Sequence, residues 1–133
     1  MFLLDTNTCI QFINGTSLSV KEQLQRHSNG EVVLCSVVKA ELLFGARKSQ
    51  RIEANLRTFN RFFAAFKSLN FDDRCAEEYG QIRADLVKQG RPIGPNDIMI
   101  AAIARAHDAV LVTNNTREFA RVTNLRLEDW QSI

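Results

Sequence analysis

Four of the fifteen acidic side chains stand where an isolated carboxylate is hard to explain. Asp5 ends the apolar run Phe2-Leu3-Leu4. Glu41 lies within Val37-Val38-Lys39-Ala40-Glu41-Leu42-Leu43-Phe44. Asp97 precedes the almost wholly apolar Ile98–Ala104. Glu118 follows Asn114 and Asn115, just beyond the run ending at Thr113. Clustered carboxylates raise one another's pKa unless a cation neutralises them. Carboxylate and amide oxygens without histidine or cysteine suit a hard cation, Mg²⁺ or Mn²⁺. Such a centre can activate water and offset charge in an in-line displacement at phosphorus.

Taken singly, each residue also has an ordinary reading. Asp5 reads as a strand-end turn residue with Thr6 and Asn7. Asp97 reads as a first-turn acid favoured by the helix dipole, worth about 0.3–1 kcal/mol. Asn115-Thr116-Arg117-Glu118 fits a capping box, Asn115 the cap and Glu118 reaching back. Glu41 needs a partner, either a ligand or a base such as Lys39 or Arg47. The remaining acids, among them Glu22, Glu53, Asp72, Asp73 and Asp85, fall among polar neighbours on helix faces or in loops.

The elements that would position these four alternate between strand and helix. Phe2–Asp5 reads as a first strand. A short helix carrying Ile10, Phe12 and Ile13 follows and is broken at Asn14-Gly15-Thr16. Ser17–Arg26 is an amphipathic helix closed by Ser28-Asn29-Gly30. Glu31–Cys35 is a buried strand, and Ser36 caps a helix over Val37–Ser49. From Arg51 to Phe66, Ile52, Leu56, Phe59 and Phe63 recur at helical spacing, beside Phe62 and Phe66. Asn70-Phe71-Asp72 reads as a short edge strand. Asp73–Gln89 is a helix with Ala76, Tyr79, Ile82 and Leu86 on one face and Gly90 as its stop. Gly94-Pro95 opens the apolar helix, proline fitting its first position. Ala109–Thr113 is a buried strand, and Leu125–Leu127 a last short one. Such alternation predicts α/β architecture with a mainly parallel sheet. Ligands of these sheets sit beyond the carboxyl ends of the strands, where all four acids fall.

The bulk properties agree with one domain over residues 1–133. The chain has 133 residues and formal charge +2, with 45% hydrophobic and 24% charged residues, which argues against disorder. Its longest apolar stretch is too short to span a membrane. The N-terminus lacks the basic start of a secretory leader. Cys9, Cys35 and Cys75 are widely spaced and odd in number, which predicts a reducing, cytoplasmic setting rather than a disulfide framework. With His27 and His107 the only histidines and no cysteine cluster, no structural zinc site is expected. Between Arg47 and Lys67 six basic residues (Arg47, Lys48, Arg51, Arg57, Arg61, Lys67) face one acid, Glu53. Lys88, Arg91, Arg117 and Arg121 offer a second basic rim. These read either as solvated helix faces or as a surface for nucleic acid.

Four segments together resemble one family. Leu4-Asp5-Thr6-Asn7, Ala40-Glu41-Leu42-Leu43-Phe44-Gly45, Ile93-Gly94-Pro95-Asn96-Asp97-Ile98 and Leu111-Val112-Thr113-Asn114-Asn115-Thr116-Arg117-Glu118-Phe119 are similar to the motifs of PIN-domain ribonucleases, in particular the VapC-type toxins of VapBC toxin–antitoxin pairs. The likeness runs the whole length, in the family's order. It implies a three-layer α/β/α sandwich around a parallel sheet. It implies that Asp5, Glu41 and Asp97 are the catalytic, metal-binding carboxylates for Mg²⁺ or Mn²⁺, with Asn115 and Glu118 as further oxygen donors. Thr6 and Asn7 would support Asp5, and Thr113 would orient the site. Many members carry a fourth acid where this chain has Asn115.

The same resemblance implies an endoribonuclease acting on structured RNA, commonly transfer RNA; of the basic residues counted above, Arg47, Lys48, Arg51, Arg91 and Arg117 are the expected RNA contacts. It implies a homodimer and a VapB-type antitoxin whose C-terminal segment lies in a groove. The phenylalanine-rich helix reads either as core or as part of such a surface. Competing readings fit less well. A haloacid-dehalogenase-like phosphatase wants an aspartate where Asn7 stands. A receiver domain wants an acidic pair near the first strand, where Asp5 is alone. A catalytically weak RNA- or protein-binding module of the same fold is the remaining alternative.

Overall fold

The computed structural model describes residues 1–27 and 30–131. Ser28 and Asn29, two of the three residues expected to close the second helix, lie outside the described residues. Strand β1 (Phe2–Leu4) leads into α1 (Thr6–Asn14) and α2 (Leu18–Arg26). Then come β2 (Val32–Cys35), α3 (Ser36–Arg47), α4 (Ile52–Phe63) and β3 (Lys67–Leu69). The chain continues through α5 (Asp73–Gln89), α6 (Pro95–Ala106), β4 (Val110–Val112), α7 (Thr116–Phe119) and β5 (Leu127–Glu128).

Among the described residues, five strands form one sheet in the order β3-β2-β1-β4-β5, with every pairing parallel. Parallel crossovers are right-handed almost without exception. The path from β1 to β2 to β3 steps one way, so α1–α4 cover one face. The return from β3 to β4, and on to β5, steps the other way and puts α5–α7 on the opposite face. Three layers follow from strand order and handedness together. Between β1 and β4 the direction of the connections reverses, which is where such sheets open a crevice.

Local chemistry sets the boundaries. Gly15 (φ 65°) and Gly90 (φ 64°) end α1 and α5 in the left-handed conformation that glycine adopts without a Cβ clash. Ser17 accepts from the Val20 amide at 3.2 Å to start α2. All four residues of β2 are buried. In α6, Ile98, Ile100 and Ile103 are at most 3% exposed, each worth about 1.5–3 kcal/mol of burial.

Several sequence expectations shift. The edge strand is Lys67–Leu69, not Asn70–Asp72, because Asp72 is used as the cap of α5, accepting from the Cys75 amide at 3.1 Å. Helix α4 therefore ends at Phe63 rather than Phe66, leaving room for the turn into β3. Ser36 is the first residue of α3, not its cap, and its hydroxyl donates to Asn70 Oδ1 at 3.1 Å instead. On α5 the inward face runs Cys75, Tyr79, Ile82, Leu86, and Ala76 is exposed. The last strand is Leu127–Glu128, pairing with Leu111 and Val112. Phe62 and Phe63 are buried, and Phe59 and Phe66 pack against the core, so the phenylalanine stripe is interior.

Candidate metal centre

Asp5 is held between the two central strands. Its amide donates to the Val112 carbonyl at 3.0 Å, continuing the β1–β4 ladder past Leu4. Its carboxylate then caps α1, Oδ1 accepting from the Thr8 amide at 2.9 Å. Asp5 is therefore a helix cap rather than the turn residue expected with Thr6 and Asn7, and the cap fixes the side chain at the sheet edge. At 6% exposure, burial pushes its pKa up; hydrogen bonding from Thr113 and Thr8 offsets part of that, and Glu41 adds to the rise. Thr113 is fully buried at the end of β4. Its amide donates to Glu128 at 2.9 Å, and its hydroxyl accepts from the Asn115 amide at 3.0 Å.

Glu41 comes from the middle of α3 and is half-buried. Neither expected basic partner takes it. Lys39 places its ammonium 5.1 Å from the centre of the Phe63 ring, and Arg47 is exposed. Glu41 Oε1 instead accepts from the Thr6 hydroxyl at 2.6 Å. Asp97, in the first turn of α6, is half-buried and has its pKa raised to about 6. Burial is the largest cause, followed by the charges of Glu41, Glu118 and Asp5.

Asp5, Thr6, Asn7, Glu41, Asp97 and Asn115 line one cavity of about 170 Å³, walled by Ile100 and Phe119. No lysine or arginine is among its lining residues. The ion pairs found among the described residues lie elsewhere. Carboxylates from just past β1, from α3 and from α6 therefore share a partly buried space that, among the described residues, no lysine or arginine lines. The donors are all oxygens, which fits a hard divalent ion.

Glu118 is half-buried and close enough to push Asp97 upward, although it is not among the residues lining the cavity. The capping box expected at Asn115 does not form. Asn115 stands at the cap position without a side-chain cap bond; its Nδ2 donates to Glu118 Oε2 at 3.1 Å. The five basic residues expected to touch RNA are exposed, and none lines the carboxylate cavity. Lys48 lines an adjoining groove of about 760 Å³ that shares Thr6 and Glu41 with the cavity. Its ammonium lies 5.1 Å from the Phe44 ring centre, and Phe44 is 65% exposed. Thr8, Ile100 and Phe119 escaped sequence reasoning. Thr8 alone carried a signal, as the residue three after a capping aspartate.

Comparison with known proteins places these features in context. A family model described as PIN domain matches residues 2–125. The tRNA(fMet)-specific endonuclease VapC of Shigella flexneri is 47% identical over 129 residues, 97% of each chain. A chain in the crystal structure of VapBC2 from Rickettsia felis, bound to a DNA fragment from its promoter, superposes with a TM-score of 0.91 at 37% identity. The match covers 97% of this chain and 98% of that one. A chain of DNA-bound VapBC from Salmonella typhimurium also gives 0.91, at 40% identity and 97% coverage of both.

Proposed function

This chain belongs to the PIN-domain family, and we propose that it is a divalent-metal-dependent endoribonuclease, the toxin of a VapBC-type toxin–antitoxin pair, with transfer RNA as its substrate. The observation that carries this reading is the convergence of Asp5, Glu41 and Asp97 on one cavity with no basic residue in its lining. The sequence relationship to an enzyme named for initiator tRNA makes that RNA the first substrate to test. One domain spanning residues 1–133 carries the activity, in the cytoplasm. Among the described residues no helix is long and apolar enough to cross a membrane.

Asp5, Glu41 and Asp97 would hold Mg²⁺ or Mn²⁺, with Asn115 and Glu118 as outer oxygen donors. When bound, the ion supplies a lower pKa for water and neutralises charge on the non-bridging phosphate oxygens. Thr6 holds Glu41, and Thr113 and Thr8 hold Asp5, so the carboxylates are set before RNA arrives. Asp97 or Glu41 orients the attacking water by accepting its hydrogen bond. The 3′ oxygen leaves, giving 3′-hydroxyl and 5′-phosphate ends. Arg47, Lys48, Arg51, Arg91 and Arg117 bind the RNA backbone, whose negative charge the acidic cavity would otherwise repel. Recognition of an exposed loop by shape suits such a substrate.

The partner in this reading is a VapB-type antitoxin, consistent with the toxin–antitoxin complexes of the structural relatives. The groove beside the cavity, with Phe44, Ile10 and Met99 on its walls, suits an apolar segment of that partner. A basic side chain from the segment would reach Glu41 and Asp97 and block them. The protein is a homodimer in this proposal.

Incubating the purified protein with initiator tRNA, with Mg²⁺ or with EDTA, tests the assignment. Metal-dependent fragments with 5′-phosphate ends are expected. Cleavage that persists in EDTA, or in Asp97→Asn, would overturn it.

A further inference from the structure

At the opposite end of α6 from Asp97 lies a second group of ligating side chains. Asp72 caps the start of α5, Cys75 sits in its first turn, and His107 caps the end of α6. One ligand atom from each of these three residues lies within 4.8 Å of the other two. Asp72 is exposed, His107 half-buried and Cys75 fully buried, so the group opens to solvent on one side. His107 lies ten positions after Asp97, about 15 Å along the axis at 1.5 Å per residue. The group is therefore distinct from the carboxylate cavity.

We propose that Asp72, Cys75 and His107 form a binding site for a tetrahedral transition-metal dication, Zn²⁺, which ties the start of α5 to the end of α6. One sulfur, one imidazole nitrogen and one carboxylate oxygen make a borderline-soft set, unlike the oxygen-only cavity. Zinc bonds of about 2.0–2.3 Å put tetrahedral ligands roughly 3.3–3.8 Å apart, so atoms within 4.8 Å of one another need draw in by at most about 1.5 Å. Asp72 and His107, being accessible, have the rotamer freedom to do so. Asp72 Oδ1 already accepts from the Cys75 amide at 3.1 Å, which leaves Oδ2 for the ion. Water takes the fourth position from the open side.

The Cys75 thiol now contacts the Asn70 carbonyl at 3.6 Å. On binding, its S–H bond breaks, an S–Zn bond forms, and the proton goes to solvent. Its place in the first turn of α5 puts the resulting thiolate at the positive end of the helix dipole. The two helix ends are already side by side, since the Arg74 guanidinium donates to the Ala106 carbonyl. The ion therefore closes a preformed gap rather than assembling one.

Cobalt is the probe, because Co²⁺ occupies zinc sites and a thiolate ligand gives it a near-ultraviolet charge-transfer band that carboxylates do not. Titrating metal-stripped full-length protein with Co²⁺ should produce that band, with the visible bands of a tetrahedral ion, at a single equivalent. Zn²⁺ should displace it and excess Mg²⁺ should not. The band should vanish in Cys75→Ser, weaken roughly tenfold or more in affinity in His107→Gln, and persist in Asp5→Asn. Because Cys75 is buried, His107→Gln serves as the variant that keeps the core intact. Zn²⁺ should raise the thermal midpoint of the wild type but not of His107→Gln. No charge-transfer band at stoichiometric Co²⁺, or one unchanged in His107→Gln, would overturn the site. A band surviving in Cys75→Ser would do the same, since it would come from Cys9 or Cys35.

Discussion

Thr6 and Glu41 are joined by a 2.6 Å hydrogen bond between the first residue of α1 and the middle of α3. The hydroxyl donates to Oε1 and so aims a half-buried carboxylate at the cavity that Asp5 and Asp97 also line. Without it, Glu41 would sample the rotamers open to a long flexible side chain.

Thr6→Val should weaken metal affinity and slow cleavage by roughly tenfold, the usual cost of losing a group that orients a metal ligand. Thr6→Ser, which keeps the hydroxyl, should behave close to wild type. The measurement is single-turnover cleavage across a Mn²⁺ series, reading the half-saturating concentration. Equal curves for Thr6→Val and wild type would mean that Glu41 is oriented by something else.

Acid should compete with the metal. The Asp97 carboxyl has its pKa raised to about 6 by burial and by neighbouring acids. A proton must leave before that oxygen can ligate, so Mn²⁺ affinity should fall as pH drops through about 6 and level off above it. Calorimetric titrations between about pH 5 and pH 7.5 would show the dependence. A flat profile would remove Asp97 from the ligand set.

The same shift has a consequence for stability. An aspartate whose pKa is higher in the folded than in the unfolded chain is penalised when ionised. The penalty is absent well below the unfolded value of 3.8, grows as pH rises toward about 6, and is complete above it. In EDTA at neutral pH, Asp97→Asn should therefore stabilise the fold by on the order of 1–2 kcal/mol, allowing for solvent screening at a half-buried site. A rise of several degrees in the thermal midpoint, together with loss of cleavage by about a hundredfold or more, is the expected pair. A lower midpoint in EDTA would contradict the charge repulsion inferred at this cavity.

RNA binding should depend on salt through the basic rim. Replacing Arg117 or Lys48 with alanine should weaken binding modestly across RNA sequences and reduce the log–log salt slope by about one for each phosphate no longer neutralised. Filter binding of initiator tRNA to the catalytically silent Asp5→Asn protein at several salt concentrations would measure it. Unchanged slopes in both variants would assign these side chains to the solvated surface.

Much of the site could be read from the chain because its members sit at places with local signatures. Asp5 ends an apolar strand, Asp97 follows Gly94-Pro95, and Thr113 closes a buried strand. Each position is dictated by neighbours within a few residues, and parallel α/β topology sends all strand ends to one edge. Boundaries were less legible where distant groups compete for the same segment. Asn70–Asp72 has strand-like neighbours, but Asp72 gains more as the cap of α5. Ser36 has a capping residue's chemistry, but Asn70, brought near by the β2–β3 pairing, takes its hydroxyl.

By itself, the sequence determined the alternation of strand and helix, the parallel sheet and the identity of the clustered acids, because these follow from hydrophobic period, capping chemistry and residue type. Only the tertiary structure decided which partner each side chain takes. Glu41 could have paired with Lys39 or Arg47, yet it meets Thr6, because α1 packs against α3. His107 and Cys75 are far apart in the chain, and α5 packing along α6 brings them together. Contacts between elements depend on packing geometry summed over the whole core, and no local stretch of residues carries that information.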